Sequence, residues 1–412
     1  MALNFIWAGF FIIAFVVALY KAFFASETQP EIFSEIMKVL FERAELGFKL
    51  SLFLTGILAL WMGIMKIGEK GGMVTLLSKA VSPLFTRLFP GVPKDHPAIG
   101  AMMMNFSANM LGLDNAATPL GLKAMNELQS LNPEKDTASN AQIMFLVLNT
   151  SGLTLIPVSI LAYRAAEGSA NPTIVFVPIL LATFISSLVG LIVTALVQRI
   201  NLLDKVIWAY LGGMTALIGA LVWYLTALSK DEIKIFTDVL SNILLFGVII
   251  SFIVMGLWKK INVYDAFIEG AKDGFQVAVT IIPYLVAMLA GIGVFTASGA
   301  MDYVLDFFRF AFSSLGMDTR FVDALPTAFL KPLTGGGARA AMIESWQQFG
   351  VDSFVGYMTS ILQGSTETTF YVLAVYFGSV GVKKVRNAVT LGLIADLAGI
   401  VSAILITYWL FG

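Results

Sequence analysis

Four polar stretches interrupt an otherwise apolar chain, and any chemistry would sit there. The first reads Asn105-Phe-Ser-Ala-Asn109-Met-Leu-Gly112-Leu-Asp114-Asn115. The second, Asn149-Thr150-Ser151-Gly152-Leu153-Thr154, is closed by Pro157. The third is Leu330-Lys-Pro-Leu-Thr334-Gly335-Gly336-Gly337, with Arg339 just beyond. The fourth is Gln363-Gly364-Ser365-Thr366-Glu367-Thr368-Thr369. Amides, hydroxyls, two carboxylates, one ammonium and one guanidinium form a set suited to holding a small polar solute.

Each stretch has a specific physical reading. Pro157 lacks the N–H that would close a helical bond, so the second stretch frees backbone carbonyls. Thr150, Ser151 and Thr154 add hydroxyls; single hydroxyls often bond only their own helix, but a dense cluster mirrored by Ser365, Thr366 and Thr368 favours a site. Glu367 lies between apolar runs, where a carboxylate costs at least ~2.5 kcal/mol. It needs a partner, water or a proton there, which suits proton coupling or ligand binding; a structural bond to a neighbouring hydroxyl is the alternative. Asp114-Asn115 opens a second helical arm and reads both as a helix N-cap and as a site. Free N–H groups at Gly335, Gly336 and Gly337 precede a short helix bearing Arg339 and favour an anion; close helix packing is the other explanation of the glycines. Lys123 and Lys331 are available to neutralise carboxylates. Asp396, inside the last apolar run, reads as a packing contact or a functional acid. His96, after Lys94-Asp95, reads as a solvated loop histidine.

Composition narrows the classes. The 412 residues are 58% hydrophobic and 13% charged, against about one-quarter charged in soluble domains. Lys+Arg number 26 and Asp+Glu 27, so there is no basic surplus for nucleic acid. Without Cys and with one His, disulfides, thiolate sites and most zinc sites are excluded. No His-Glu-x-x-His or P-loop motif is present. A polytopic membrane protein remains.

The elements that must position these stretches are membrane helices. About nine apolar runs are long enough to cross a bilayer: 3–20, 50–65, 139–163, 168–198, 206–229, 239–258, 274–301, 353–382 and 387–411. The first lacks a basic n-region and a small-residue cleavage site, so it reads as a crossing and not as a signal peptide. Residues 97–128 and 322–348 each hold two short helical stretches around a polar break. Such backbone survives in lipid only when surrounded by protein or water, so both read as re-entrant hairpins. Lys/Arg clusters at 66–94, 199–205, 259–272 and 383–386 place those loops inside, with the N-terminus inside and the C-terminus outside.

The order of features repeats. Gly47-Phe48 and Gly274-Phe275 open counterpart crossings, and Gly72-Met73 and Gly299-Ala300-Met301 close them. An amphipathic stretch, a hairpin and a polar patch follow in each half. One shift in numbering pairs Ser151 with Ser365 and Thr154 with Thr368. The apolar run 206–229 stands between the halves as an odd connector and places the second repeat upside down. Inverted repeats with broken helices are the usual build of secondary transporters.

Longer strings carry a family resemblance. Lys94-Asp-His-Pro97, Asn105 through Pro119 and Leu148-Asn149-Thr150-Ser151 resemble spore maturation protein A. Pro283-Tyr-Leu-Val-Ala-Met, Leu330-Lys-Pro-Leu-Thr334-Gly and Gln363 through Tyr371 resemble spore maturation protein B. The chain resembles a fusion of the two, within the nucleoside-recognition (Gate) group, which is similar to concentrative nucleoside transporters. The resemblance implies a bacterial inner-membrane protein with a first repeat at 1–202 (Gate part about 47–165), a connector at 203–230 and a second repeat at 231–412 (Gate part about 274–382).

The expected fold is therefore all-α, with two inverted repeats that each carry a re-entrant hairpin and a broken helix. The expected function is alternating-access transport of a small polar or anionic solute, and the resemblance implies that a nucleoside-like one is among the candidates. Na⁺ or H⁺ is the expected coupling ion; no other cofactor and no catalysis are expected. Site residues are Asn109, Asp114, Asn115, Asn149, Thr150, Ser151, Thr154, Thr334, Gly335, Gly336, Arg339, Gln363, Ser365, Thr366, Glu367 and Thr368. Partners are the solute and the lipid bilayer, with self-association open. The alternatives are a non-transporting scaffold or sensor and an intramembrane hydrolase using Ser365.

Overall fold

The computed structural model describes residues 2–25, 29–112 and 114–412, with the side chains of 2–4, 114–116, 230, 231 and 234 outside the description. Every element of regular structure among the described residues is a helix; one parallel bridge pairs Thr137 with Lys384. The first half runs α1 (Ala2–Phe23), α2 (Ile32–Gly71), α3 (Met73–Leu88), α4 (Pro97–Met110), α5 (Asp114–Leu131), α6 (Asn140–Ser151), α7 (Val158–Ala166) and α8 (Phe176–Val197). After α9 (Lys205–Thr226) the same order returns as α10 (Lys230–Trp258), α11 (Val263–Ala297), α12 (Ala300–Ser313), α13 (Leu325–Leu330), α14 (Gly335–Phe349), α15 (Phe354–Gly364), α16 (Thr369–Ser379) and α17 (Ala388–Phe411).

Among the described residues, seven helices are long and apolar enough to cross a membrane: α1, α2, α8 with the short turn before it, α9, α10, α11 and α17. The two other expected crossings are each divided. Residues 139–163 form α6 of 12 residues and α7 of 9, about 18 and 14 Å long at 1.5 Å per residue. Residues 353–382 form α15 and α16, 11 residues each. None of the four reaches across a core of about 30 Å. The division follows from Gly152 at φ 54 and Pro157 in the first case, and from the Ser365–Thr368 stretch in the second.

The expected crossing at 50–65 is a fraction of what forms. Helix α2 has 40 residues, about 60 Å. The residues between the first two expected crossings, 32–49, continue it, supported by the Lys38–Glu42 and Glu45–Lys49 pairs one turn apart. Left-handed glycines, Gly72 at φ 93 and Gly299 at φ 78, turn the chain from α2 into α3 and from α11 into α12; L side chains disfavour that backbone region.

Helices α2 and α11 pack along their length in opposite directions. Gly47 lies against Val286, Gly63 against Phe267, and Gly274 against the Ala59 backbone, each so close that an added Cβ would approach within 3.1 Å. The step in numbering that carries Gly47 to Gly274 also carries Val286 back to Ala59. The same step carries Arg43 to Gly270 and Gly293 back to Lys66, and both Arg43–Gly293 and Lys66–Gly270 are contacts. A two-fold relation thus runs through this seam. Helix α9 stands apart, with only Ile207 and Leu225 buried. The buried core lies where α17 packs against α6, α8, α15 and α16, and large apolar side chains such as Leu217, Trp223 and Phe246 face outward as lipid-facing residues do.

Candidate functional site

The polar stretches meet in the interior. In the first half, Asn109 near the end of α4 donates from Nδ2 to Asn149 Oδ1 at 2.7 Å. Asn149 in turn donates to Phe145 O at 2.8 Å. Tyr376 of α16 reaches the same Asn149 oxygen at 3.3 Å, and Asn105 Nδ2 reaches Ala117 O at 2.8 Å and Tyr376 Oη at 3.3 Å. Helices α4 and α6 of the first half and α16 of the second thereby share one amide network.

Backbone groups freed at the breaks find partners in the hairpins. Leu155 N donates to Met110 O at 2.7 Å in the first half, and Phe370 N donates to Pro332 O at 3.0 Å in the second. Glu367 N donates across to Thr150 O at 2.8 Å. These bonds answer the requirement that buried N–H and C=O groups be paired.

A cavity of about 120 Å³ lies between these elements. Of the expected residues, Asn109, Thr154, Gly335, Arg339, Gln363, Thr366 and Glu367 line it, together with Gly112, Gly152, Pro157, Ser159 and Lys331. Arg339 of α14 stacks over the Tyr163 ring at 5.2 Å, a cation–π contact that leaves donors for the cavity. Gln363 Oε1 is buried with no donor. Gly152, left-handed at φ 54, lets the Glu367 side chain approach: a Cβ there would sit 2.9 Å from Glu367 Cγ.

Several expectations need correction. Glu367 is exposed, whereas Asp396 of α17, beside the breaks, is buried at 1% exposed. Thr150, Ser151 and Ser365 lie outside the cavity lining and are fully buried. Their hydroxyls donate to Val147 O, Leu148 O and Leu362 O of their own helices, since a carbonyl three residues back is always in reach. Thr154 lines the cavity but donates to Gly152 O at 2.9 Å. The three glycines do not precede a helix: they are its first turn, and Thr334 caps it by accepting from Gly337 N at 3.2 Å. Gly336 faces open space, and Thr368 Oγ1 would meet a Cβ on Gly335 at 2.9 Å. The side chains of Asp114 and Asn115 lie outside the described residues. His96 is no plain loop residue: it caps α4, with Nδ1 accepting from Ala98 N at 3.2 Å.

The family model described as nucleoside recognition (Gate) matches residues 51–166 and 278–383, more than half of the chain. The chain belongs to the Gate nucleoside-recognition family. This Gate protein is 44% identical over 174 residues to spore maturation protein B of Bacillus subtilis (strain 168), covering 42% of this chain and 91% of the relative. It is 37% identical over 190 residues to spore maturation protein A of the same organism, covering 46% of this chain and 92% of that relative. No solved structure matches it. The matched Gate segments contain every residue named above as lining the cavity. With its apolar helices, the chain is a membrane protein of this family.

Gly112, Gly152 and Tyr376 are not among the expected site residues, and Lys331 is expected only as a partner for carboxylates. The two glycines carried a signal, since each ends a helix just before a polar break. Tyr376, one hydroxyl in an apolar run, carried none.

Proposed function

We propose that this Gate protein is a secondary transporter of a small polar or anionic solute, working by alternating access. The observation that carries this is the shared cavity, lined from both hairpins and both broken helices. At about 120 Å³ it is small beside the roughly 300–1,000 Å³ of pockets for drug-sized ligands, which suits a small solute. Lys331, Arg339 and Glu367 all line it, so the lining carries more positive than negative charge. A nucleoside-like solute follows the family description and the likeness to concentrative transporters, and its larger size requires the cavity to widen.

The halves, 1–202 and 231–412 around a connector at 203–230, are inverted repeats in this reading. Support comes from the two-fold relation between the antiparallel α2 and α11. Loops assigned to the same side also meet. Asp136 and Ala138 bond residues 383–386 on the inner side, and Lys70 pairs with Glu269 there. On the outer side Arg164 pairs with Asp352 at 2.6 Å and Arg43 with Glu344 at 2.6 Å. In this reading the N-terminus lies on the cytoplasmic side of the bacterial inner membrane, hairpin one enters from the cytoplasm and hairpin two from outside. Each hairpin then gates one side of a shared site.

A hydrolase reading gains no support from the geometry: Ser365 Oγ donates to its own helix, and His96 serves as a helix cap. The test is a thermal-shift screen of nucleosides, nucleobases and small organic anions on purified protein, followed by uptake into proteoliposomes. A stabilising solute that accumulates, and whose effect is lost in Arg339→Ala, is expected. Stable, well-folded protein that takes up none of them would replace transport with the scaffold reading.

A further inference from the structure

The acid at the centre of the helix packing is outside the cavity lining and has no assigned role. Asp396 of α17 accepts through Oδ2 from Thr369 Oγ1 at 2.7 Å. Its Oδ1, buried in a residue 1% exposed, has no hydrogen-bond partner. The hydroxyl of Thr366, 3% exposed, meets no acceptor at full hydrogen-bond geometry but lies near enough to Asp396 to act on it as a weak donor. Two glycines of α17 flank the acid and let the broken helices close in. A Cβ on Gly399 would meet the Ser365 carbonyl oxygen at 3.2 Å, and one on Gly392 would meet Thr369 Oγ1 at 3.4 Å and Thr150 Oγ1 at 3.6 Å.

Charge points the same way as geometry. The half-helices α6 and α15 both end at this junction, at Ser151 and Gly364, and helix C-termini carry partial negative charge. Lys331 and Glu367, of opposite sign, are among the charges that act on Asp396. An uncompensated buried carboxylate is costly. The oxygen set is hard and carries one formal charge, which fits a hard monovalent ion.

We propose that Asp396 Oδ1, Thr366 Oγ1 and the Ser365 carbonyl form a binding site for a Na⁺-sized monovalent cation. The ion would give these oxygens a common partner. It would also fix the stretch from Gln363 to Glu367, whose other residues line the cavity. Its role as coupling ion rests on the transport reading; the binding itself does not.

The test uses purified full-length protein in detergent, with NaCl titrated against choline chloride at constant ionic strength and melting temperature read out. The wild type should be stabilised by Na⁺ in a saturable way and not by choline. Asp396→Asn should lose the Na⁺ response. Thr366→Val, nearly isosteric, should fold and need about tenfold more Na⁺ for half-saturation, the effect of losing one charge-assisted oxygen contact. Glu42→Gln, on the exposed face of α2, should match the wild type. Superimposable Na⁺ and choline curves for the wild type would overturn the site. Wild-type half-saturation in Thr366→Val would do the same, even if Asp396→Asn cannot be purified. No solute is added, so absence of uptake would leave this result standing, and absence of Na⁺ binding would leave the transport reading standing.

Discussion

Glu167, at the C-terminal end of α7 and outside the membrane-spanning helices, is expected to make stability depend on pH. Its Oε2 accepts from Gln347 Nε2 at 2.7 Å, joining the first half to α14, while Oε1 is buried with no donor. Burial pushes its carboxyl from the ordinary 4.5 up to about 7, against smaller opposite effects of Gln347 and Arg43. Between those two values the folded protein keeps a proton that the unfolded chain has released. Stability from this group is therefore complete below about pH 4.5 and is lost as pH rises through about 7. The full shift corresponds to about 3 kcal/mol, and partial exposure reduces it to about 2 kcal/mol. Glu167→Gln removes the titration and keeps an acceptor for Gln347. It should melt with the wild type at pH 5 and a few degrees above it at pH 8, measured by differential scanning fluorimetry in one detergent. An equal offset at both pH values, or a variant less stable than the wild type at pH 8, would refute the assignment of this cost to the buried carboxylate.

Three further outcomes follow from the seam, the cavity and the topology. Gly270→Leu, which drives a side chain into Met62 O and Lys66 Cβ, should destabilise by about 1–3 kcal/mol or more, read as a lower melting temperature; an unchanged value would mean that α2 and α11 do not close as described. Glu367→Gln should abolish uptake of the screened solute, or its ion dependence, in protein whose size-exclusion profile is unchanged, and normal coupled uptake would return Glu367 to a structural part. The chain has no native cysteine, so Cys at Ser82 should be shielded from an impermeant thiol reagent in intact cells and Cys at Ser314 labelled; labelling of both from outside would mean that the repeats are not inverted.

The sequence made the breaks legible because proline and glycine act locally. Pro157, Gly152 and the Gly335–Gly337 run stop or start helices wherever they fall, so both broken helices could be placed from residue type. The lining by Asn109, Gln363, Glu367 and Arg339 was legible for the same reason, as polar groups beside a break are the ones left facing space. The direction of hydroxyls was not. Thr150, Ser151 and Ser365 each have a carbonyl of their own helix in reach, and only the packing of α17 and α8 against them decides that they turn inward. The length of α2 was hidden by composition: Glu31 through Lys49 has the charge of a loop, yet the spacing of Lys38–Glu42 and Glu45–Lys49 is that of a helix. Asp396 was recognised as unusual, but its partner Thr369 lies 27 positions away on another helix, and no local pattern announces it.

The hydrogen bonds at the breaks constrain how such a molecule can move. Breaking a helix at membrane depth exposes N–H and C=O groups that find no water in hydrocarbon, at several kcal/mol each. Here each break borrows one partner from the hairpin of its own half, Leu155 N to Met110 O and Phe370 N to Pro332 O. Separating α4 from the first broken helix, or the 330–334 turn from the second, strands that donor unless water or solute replaces the partner. The bond from Glu367 N to Thr150 O differs, because it joins the two halves to each other. Any motion that opens the cavity by separating the halves has to exchange this bond, and a solute or water that offers Thr150 O another donor lowers the cost. Glu367 carries both the crossing N–H and a carboxylate in the cavity lining, so occupancy of the cavity and contact between the halves act on the same residue.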